Sequence, residues 1–242
     1  MRIPRIYTAN NLEPNRKTIL GIQASSHILH VLRLKLGSPL ILFNGTGGEY
    51  NAELYAIDKQ RAIIQIQQFI DKQVESPLKI NLAQGISRGE KMDYTIQKAV
   101  ELGVYKITPL FTERCNIKLS GERLQKRISH WQSIAISACE QSGRTHIPKV
   151  AFAQDLNTWI IQDHPGLCLT LYHQATNSLA NLKSSSAVTL LIGPEGGLSD
   201  YEINFTYQQN FTPIRFGPRI LRTETAALAA ISILQSKWGD ML

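Results

Sequence analysis

Cysteine is scarce in this chain, with three among 242 residues. Cys115, Cys139 and Cys168 lie far apart and lack metal-ligand spacing. A disulfide framework and a structural zinc site are therefore not expected; reduced, mostly buried thiols are. His27 and His30 stand at i, i+3 with no third ligand in view, so no metal is expected and the pair reads as structural or RNA-facing. No apolar run approaches the roughly 20 residues of a membrane span. Met1-Arg2-Ile3-Pro4-Arg5 lacks the apolar stretch of a signal peptide, which makes a cytoplasmic location and no membrane partner the expectation. Repeats and low-complexity tracts are missing too. So are a Walker loop, a zinc-protease helix, a G-x-S-x-G elbow and a G-x-G-x-x-G turn after an early strand, which weakens hydrolase and dinucleotide-binding readings.

What is present is enough apolar sequence for a real core, 43% of residues, and a net charge of +7 unevenly spread. Residues 1–36 hold six Lys/Arg against one Asp/Glu, and residues 79–149 hold twelve against six. Residues 37–78 and 150–242 are each slightly acidic. Two basic segments separated by neutral ones point to a polyanionic partner more than to general solubility.

The chain changes grammar near Asp71–Pro77, a polar stretch ending in proline that divides residues 1–73 from 74–242. Before it, short strands are expected at Arg2–Tyr7, Pro39–Phe43, Glu49–Ile57 and Ala62–Phe69. A short helix running into an extended segment is expected over Ser26–Leu34. Asn44-Gly45-Thr46-Gly47-Gly48 reads as a hairpin turn, and the whole as a small barrel. After it, strand and helix alternate. Strands are expected at Leu78–Ile86, Val104–Leu110, Leu167–Tyr172, Val188–Ile192 and Pro213–Phe216. Ser87 with Glu90 reads as a capping box opening a helix that Gly103 closes, Gly121–Ser142 reads as a long helix, and Thr225–Lys237 as the last one. Such alternation predicts an α/β fold with a mostly parallel sheet covered by helices.

Two glycine-proline turns stand out at the carboxyl ends of predicted strands, where open α/β sheets bind ligands. Gly193-Pro194-Glu195-Gly196-Gly197 precedes a Ser199/Glu202 capping box. Phe216-Gly217-Pro218-Arg219-Ile220-Leu221 runs into Arg222-Thr223-Glu224-Thr225-Ala226 at a helix start. A cation there opposes the helix dipole, which favours function over structure for Arg222. Arg88 and Lys91 sit at another helix start in the same unfavourable sense.

These two turns resemble those of the SPOUT-class RNA methyltransferases, and more narrowly the RsmE type, which methylates N3 of a uridine in small-subunit ribosomal RNA. His30-Val31-Leu32-Arg33 with Gly37, Gln97-Lys98-Ala99 with Glu101-Leu102-Gly103, and Glu140-Gln141-Ser142 with Arg144 match that type as well, so the resemblance spans nearly the whole chain. It implies a PUA-like RNA-binding β-barrel over residues 1–73 and a SPOUT-type α/β trefoil-knot methyltransferase domain over 74–242. It also implies S-adenosyl-L-methionine as cofactor, a homodimer, and 16S ribosomal RNA or the small ribosomal subunit as partner.

On that resemblance, the first turn (Gly193, Pro194, Glu195, Gly196, Gly197) and the second (Phe216, Gly217, Ile220, Leu221, Arg222) hold the cofactor, with Leu171, His173, Thr225 and Ala226 beside them. A uridine N3 is a poor nucleophile until its proton leaves, so the site needs a base or a cation that stabilises the anion. Arg222 is the expected stabiliser; Glu224, Glu195 and His173 are the candidate proton acceptors. Arg2, Arg5, Arg33, Arg88, Lys91, Arg114 and Arg144 are the candidate RNA contacts. The same residues leave open a non-enzymatic RNA-binding assembly factor, or a methyltransferase of this class acting on another RNA.

Overall fold

The structure is a computed structural model and describes residues 3–117 and 119–241, so Arg2 lies outside the described residues. The chain forms two compact units, residues 1–75 with 139–147, and residues 76–138 with 148–242. Among the described residues no helix is long and apolar enough to cross a membrane, and no three His, Cys, Asp or Glu side chains cluster to hold a metal.

The first unit is a five-stranded sheet. Its strands are β1 (Arg5–Tyr7), β2 (Lys17–Ile19), β3 (Pro39–Phe43), β4 (Glu49–Asp58) and β5 (Arg61–Ile70), in the order β1-β3-β4-β5-β2. β1 pairs parallel with β3, and the other pairs are antiparallel. The Asn44–Gly48 stretch does join a hairpin, β3 to β4. Alternation along the strands buries Leu40, Leu42, Leu54, Ile64 and Ile66 on one face, and Ile6, Leu20 and Ile28 close the core. The expected helix at Ser26 starts earlier, as α1 (Ile22–Ser26), and continues as a π-helical turn over His27–Val31.

Residues 139–147 complete this unit through buried polar contacts. The Arg5 guanidinium lies 4.4 Å from the Phe43 ring centroid and pairs with Glu49 at 3.0 Å. It also donates to the carbonyls of Cys139 (2.7 Å) and Arg144 (3.0 Å). Arg144 in turn donates to Glu75, as do the backbone N–H groups of Thr145 and His146. Arg5 and Arg144, expected to contact RNA, are thus buried and ion-paired. Their donors are taken up by chain segments far away in sequence, which is what lets an arginine be buried at all.

The second unit is a parallel sheet. Its strands are β6 (Lys79–Gly85), β7 (Lys106–Phe111), β8 (Lys149–Val150), β9 (Gln154–Asp155), β10 (Leu167–Leu171), β11 (Ala187–Ile192) and β12 (Thr212–Ile214). The order is β12-β10-β11-β6-β7-β8, with β9 also on β7, and every pair is parallel. β11 and β6 are central, which is why their sequences run almost continuously apolar. The helices are α2 (Glu90–Glu101), α3 (Gly121–Ser142, whose end from Cys139 on belongs to the first unit), α4 (Leu156–Ile160), α5 (Asp200–Gln208) and α6 (Thr223–Trp238), with a 3-10 turn at Leu179–Asn181.

Helix starts show where local signals held. Ser199 and Glu202 form both bonds of the capping box on α5. The Ser87/Glu90 box does not form: Gly89, at φ +57°, takes the cap position of α2, and the Ser87 hydroxyl donates to the Gly85 carbonyl instead. α6 begins at Thr223 with Arg222 as its cap residue, two residues before the expected start.

Candidate active site

Because every strand of the second sheet runs the same way, the loops after β6, β7, β10, β11 and β12 gather at one edge. There a cleft of about 350 Å³ opens, within the range of sites for drug-sized ligands. The first turn supplies one wall, with all five residues from Gly193 to Gly197. Its tightness has a local cause. Gly197 sits at φ +69° and its N–H donates to the Pro194 carbonyl at 2.9 Å, a turn that a β-carbon would strain. A β-carbon on Gly85, at the end of β6, would come within 2.5 Å of the Pro194 nitrogen, so only glycine lets the strand abut the turn.

The second turn supplies the opposite wall through Phe216, Ile220, Leu221 and Arg222, and Ala226 follows from α6. Leu171 and His173 enter from the end of β10. Two expected cofactor residues lie elsewhere. Gly217, at φ +71°, bends the second turn without lining the cleft, and Thr225 is exposed on α6. Thr223 takes the place expected of Thr225: it is buried, lines the cleft, and its hydroxyl donates to the Gly193 carbonyl at 2.6 Å. The first turn is therefore bonded to the helix start that the second turn leads into.

The charged groups are arranged unequally. The wall carries Lys91, Arg114, Arg215, Arg219 and Arg222 against one carboxylate, Glu195. Glu195 is already engaged, at 3.4 Å from Lys91 and accepting 3.0 Å from the Arg88 backbone N–H. Burial pushes its carboxyl up, but hydrogen bonds from its own and the Arg88 backbone N–H, with Lys91, outweigh that and hold it below its ordinary value. A carboxylate held down in this way is a poor proton acceptor. Glu224 is off the cleft wall, half-buried, with Oε2 lacking any hydrogen-bond partner. Arg114 donates to the carbonyls of Gly196 (3.2 Å) and Leu198 (3.3 Å) and so braces the first turn. Arg215, Arg219 and Arg222 are exposed, and among the described residues none pairs with a carboxylate.

Comparison with known proteins agrees on what such a chain is. Residues 74–235 match the model of an RNA methyltransferase domain, and residues 20–67 that of an RNA methyltransferase PUA domain. The chain belongs to the RNA methyltransferase family. Ribosomal RNA small subunit methyltransferase E of Buchnera aphidicola is 41% identical over 99% of this chain and 98% of its own length. The enzyme of that name from Neisseria gonorrhoeae, bound to S-adenosyl methionine, superposes with a TM-score of 0.93 at 37% identity, covering 100% of both chains. A Legionella pneumophila protein solved with bound cofactor SAM gives a TM-score of 0.96 at 41% identity over 99% of this chain and 100% of that one.

Within this RNA methyltransferase, sequence reasoning missed Tyr172, Ile192, Leu198, Ile203, Arg215, Arg219 and Thr223 on the cleft wall. Arg215 precedes the second turn and Arg219 lies within it, so both were readable as cations at a ligand turn. Ile192, Leu198 and Ile203 look like core residues in sequence, and all three are also buried ones. Of the RNA candidates, Lys91 and Arg114 line the cleft, while Arg88 and Arg33 are exposed, the latter at φ +52°.

Proposed function

We propose that this chain transfers a methyl group from S-adenosylmethionine to N3 of a uridine in 16S ribosomal RNA of the small ribosomal subunit. The observation that carries the reading is one cleft walled by two glycine turns, the first bonded to the helix start that the second leads into, with three arginines beside it that meet no carboxylate among the described residues. The pairing of turns suits the cofactor. Closely approaching backbone from Gly193–Gly197 and from Arg219–Leu221 can hydrogen-bond an adenosyl group, with Leu171, Ile220 and Leu221 against the ring and Ala226 leaving room. The cofactor brings an electrophilic methyl on a sulfonium and a net positive charge. Arginines in excess are therefore not there for it; they suit a polyanion.

Arg222 stabilises the oxyanion that forms when the uridine N3 proton leaves. With Glu195 bonded in place and Glu224 off the wall, we take His173, which lines the cleft, as the proton acceptor. Glu195 keeps a negative charge near the cofactor's cation. Arg114, Lys91, Arg215 and Arg219 receive phosphates, with Arg88 and the first unit's Arg33 outside the cleft. The reading includes a homodimer, a trefoil knot in the methyltransferase domain and a cytoplasmic site of action, where small subunits are assembled.

The test is methyl transfer itself. Purified protein, radiolabelled S-adenosylmethionine and small subunits from a strain deleted for the gene should yield 3-methyluridine at one position of 16S RNA by mass mapping. Cofactor binding without transfer to either subunits or free RNA would overturn the assignment.

A further inference from the structure

Behind the cleft lies a buried group with no part in this account. Gln84, the last residue but one of β6, is completely buried. Its Nε2 lies 2.9 Å from the hydroxyl of Thr223, which donates its single proton to the Gly193 carbonyl at 2.6 Å. With that proton spent, the hydroxyl can only accept, so the amide must present its NH2 group there. Nε2 also donates to the Gly85 carbonyl at 3.1 Å. This orientation strands Oε1, which is buried without a hydrogen-bond partner. Among the described residues that oxygen is a local cost, set against the bonds the Nε2 group makes to Thr223 and Gly85.

What the amide does is join three parts of the site. Gly85, next to it, lets β6 press against Pro194. Thr223 is the first residue of α6 and follows Arg222 directly. The chain Gln84–Thr223–Gly193 therefore sets the spacing between the first turn and the backbone that carries Arg222.

We propose that Gln84 is a positioning residue for methyl transfer, acting through Thr223 to hold Arg222 in register with the cofactor turn. This rests on the function proposed above. The test combines single-turnover methylation of small-subunit RNA at saturating cofactor with calorimetric binding of S-adenosylmethionine and thermal melting. Gln84→Leu, Gln84→Glu and Thr223→Val should each slow transfer about 10- to 100-fold, the scale of a small misplacement at a reacting centre. Thr223→Ser keeps the hydroxyl and should restore the wild-type rate. Gln84→Leu combined with Thr223→Val should be no slower than the slower single variant, since both cut one chain of bonds. A wild-type rate in Gln84→Leu, or losses that multiply in the double variant, would overturn the inference. If Gln84→Leu fails to fold, the threonine pair decides, because equal rates in Thr223→Val and Thr223→Ser overturn it too. Failure of the functional reading looks different: the wild-type protein itself would neither bind the cofactor nor transfer a methyl group.

Discussion

Arg144 and Arg222 are alike in the sequence, each a basic residue beside a glycine-bearing loop at the edge of a helix. The fold treats them as opposites. Arg144, with Arg5, is buried in the first unit, where Glu75, Glu49 and several carbonyls meet their donors. Arg222, with Arg215 and Arg219, stands exposed at a cleft and meets no carboxylate among the described residues. Charge counted along the chain therefore locates basic segments but not what they touch. The difference lies in the partners, which come from up to 139 positions away for Arg5, while among the described residues no carboxylate meets Arg222.

The comparison is broken most forcefully by removing a buried cation. Arg144→Met leaves Glu75 half-stripped of its partners, and breaking such a pair costs about 3–5 kcal/mol. The lower end applies, because the Glu75 side chain keeps 22% of its exposure. Urea unfolding should show that loss, and the folded protein should bind RNA with an unchanged salt slope. A stable variant with weakened RNA binding would make Arg144 a ligand contact after all.

Arg222→Ala should do the reverse. Stability should move by less than about 0.5 kcal/mol, as for other exposed side chains. Single-turnover transfer should fall about 100- to 1,000-fold, the usual cost of losing a group that stabilises a developing oxyanion. An unchanged rate on saturating RNA would remove Arg222 from the chemistry. Arg215→Ala and Arg219→Ala test the remaining cations. Each should lower the slope of log affinity against log salt by about one if it neutralises a phosphate. Cofactor affinity should stay constant, and an unaltered slope would mean that the arginine meets no phosphate.

How far the sequence could be read follows from the range of each cause. The alternation of strand and helix, both glycine turns and the Ser199/Glu202 box are local, and each was legible. The Ser87/Glu90 box had the right letters but lost to Gly89, whose positive φ set the helix start. β8 and β9, of two residues each, carry no periodicity and exist only because β7 lies beside them. Residues 139–147 belong to the first unit through bonds to Arg5 and Glu75, which no composition shift marks. In the site, the Arg-Thr-Glu-Thr run marked the end of the second turn, but α6 begins two residues before the expected Thr225. Thr223, not Thr225, bonds Gly193, and only the register of α6 decides that.

The finest form of the comparison sets two carboxylates of the first unit against each other. Glu75 and Glu140 are both largely removed from water, which pushes each carboxyl up. For Glu75 the hydrogen bonds and charge of Arg144, with the N–H groups of His146 and Thr145, outweigh burial, and its pKa lies below the ordinary value. For Glu140 the Tyr7 N–H, His27 and Arg5 do not offset burial, and its pKa lies above. The signs of their linkage to folding are then opposite. Glu75 contributes stability above the unfolded carboxylate range, near pH 4, and loses it as pH falls through its lower folded value. Glu140 contributes below that range and loses its contribution as pH rises through its higher folded value, so at neutral pH its charge opposes folding. Glu75→Gln should therefore melt below the wild type at neutral pH, with the gap closing on acidification. Glu140→Gln should melt at or above the wild type at neutral pH, since its amide oxygen still accepts from Tyr7, with that gap closing as well. Melting curves across this pH range decide the matter: two gaps of the same sign would show that Arg144 does not set Glu75 apart from its neighbour.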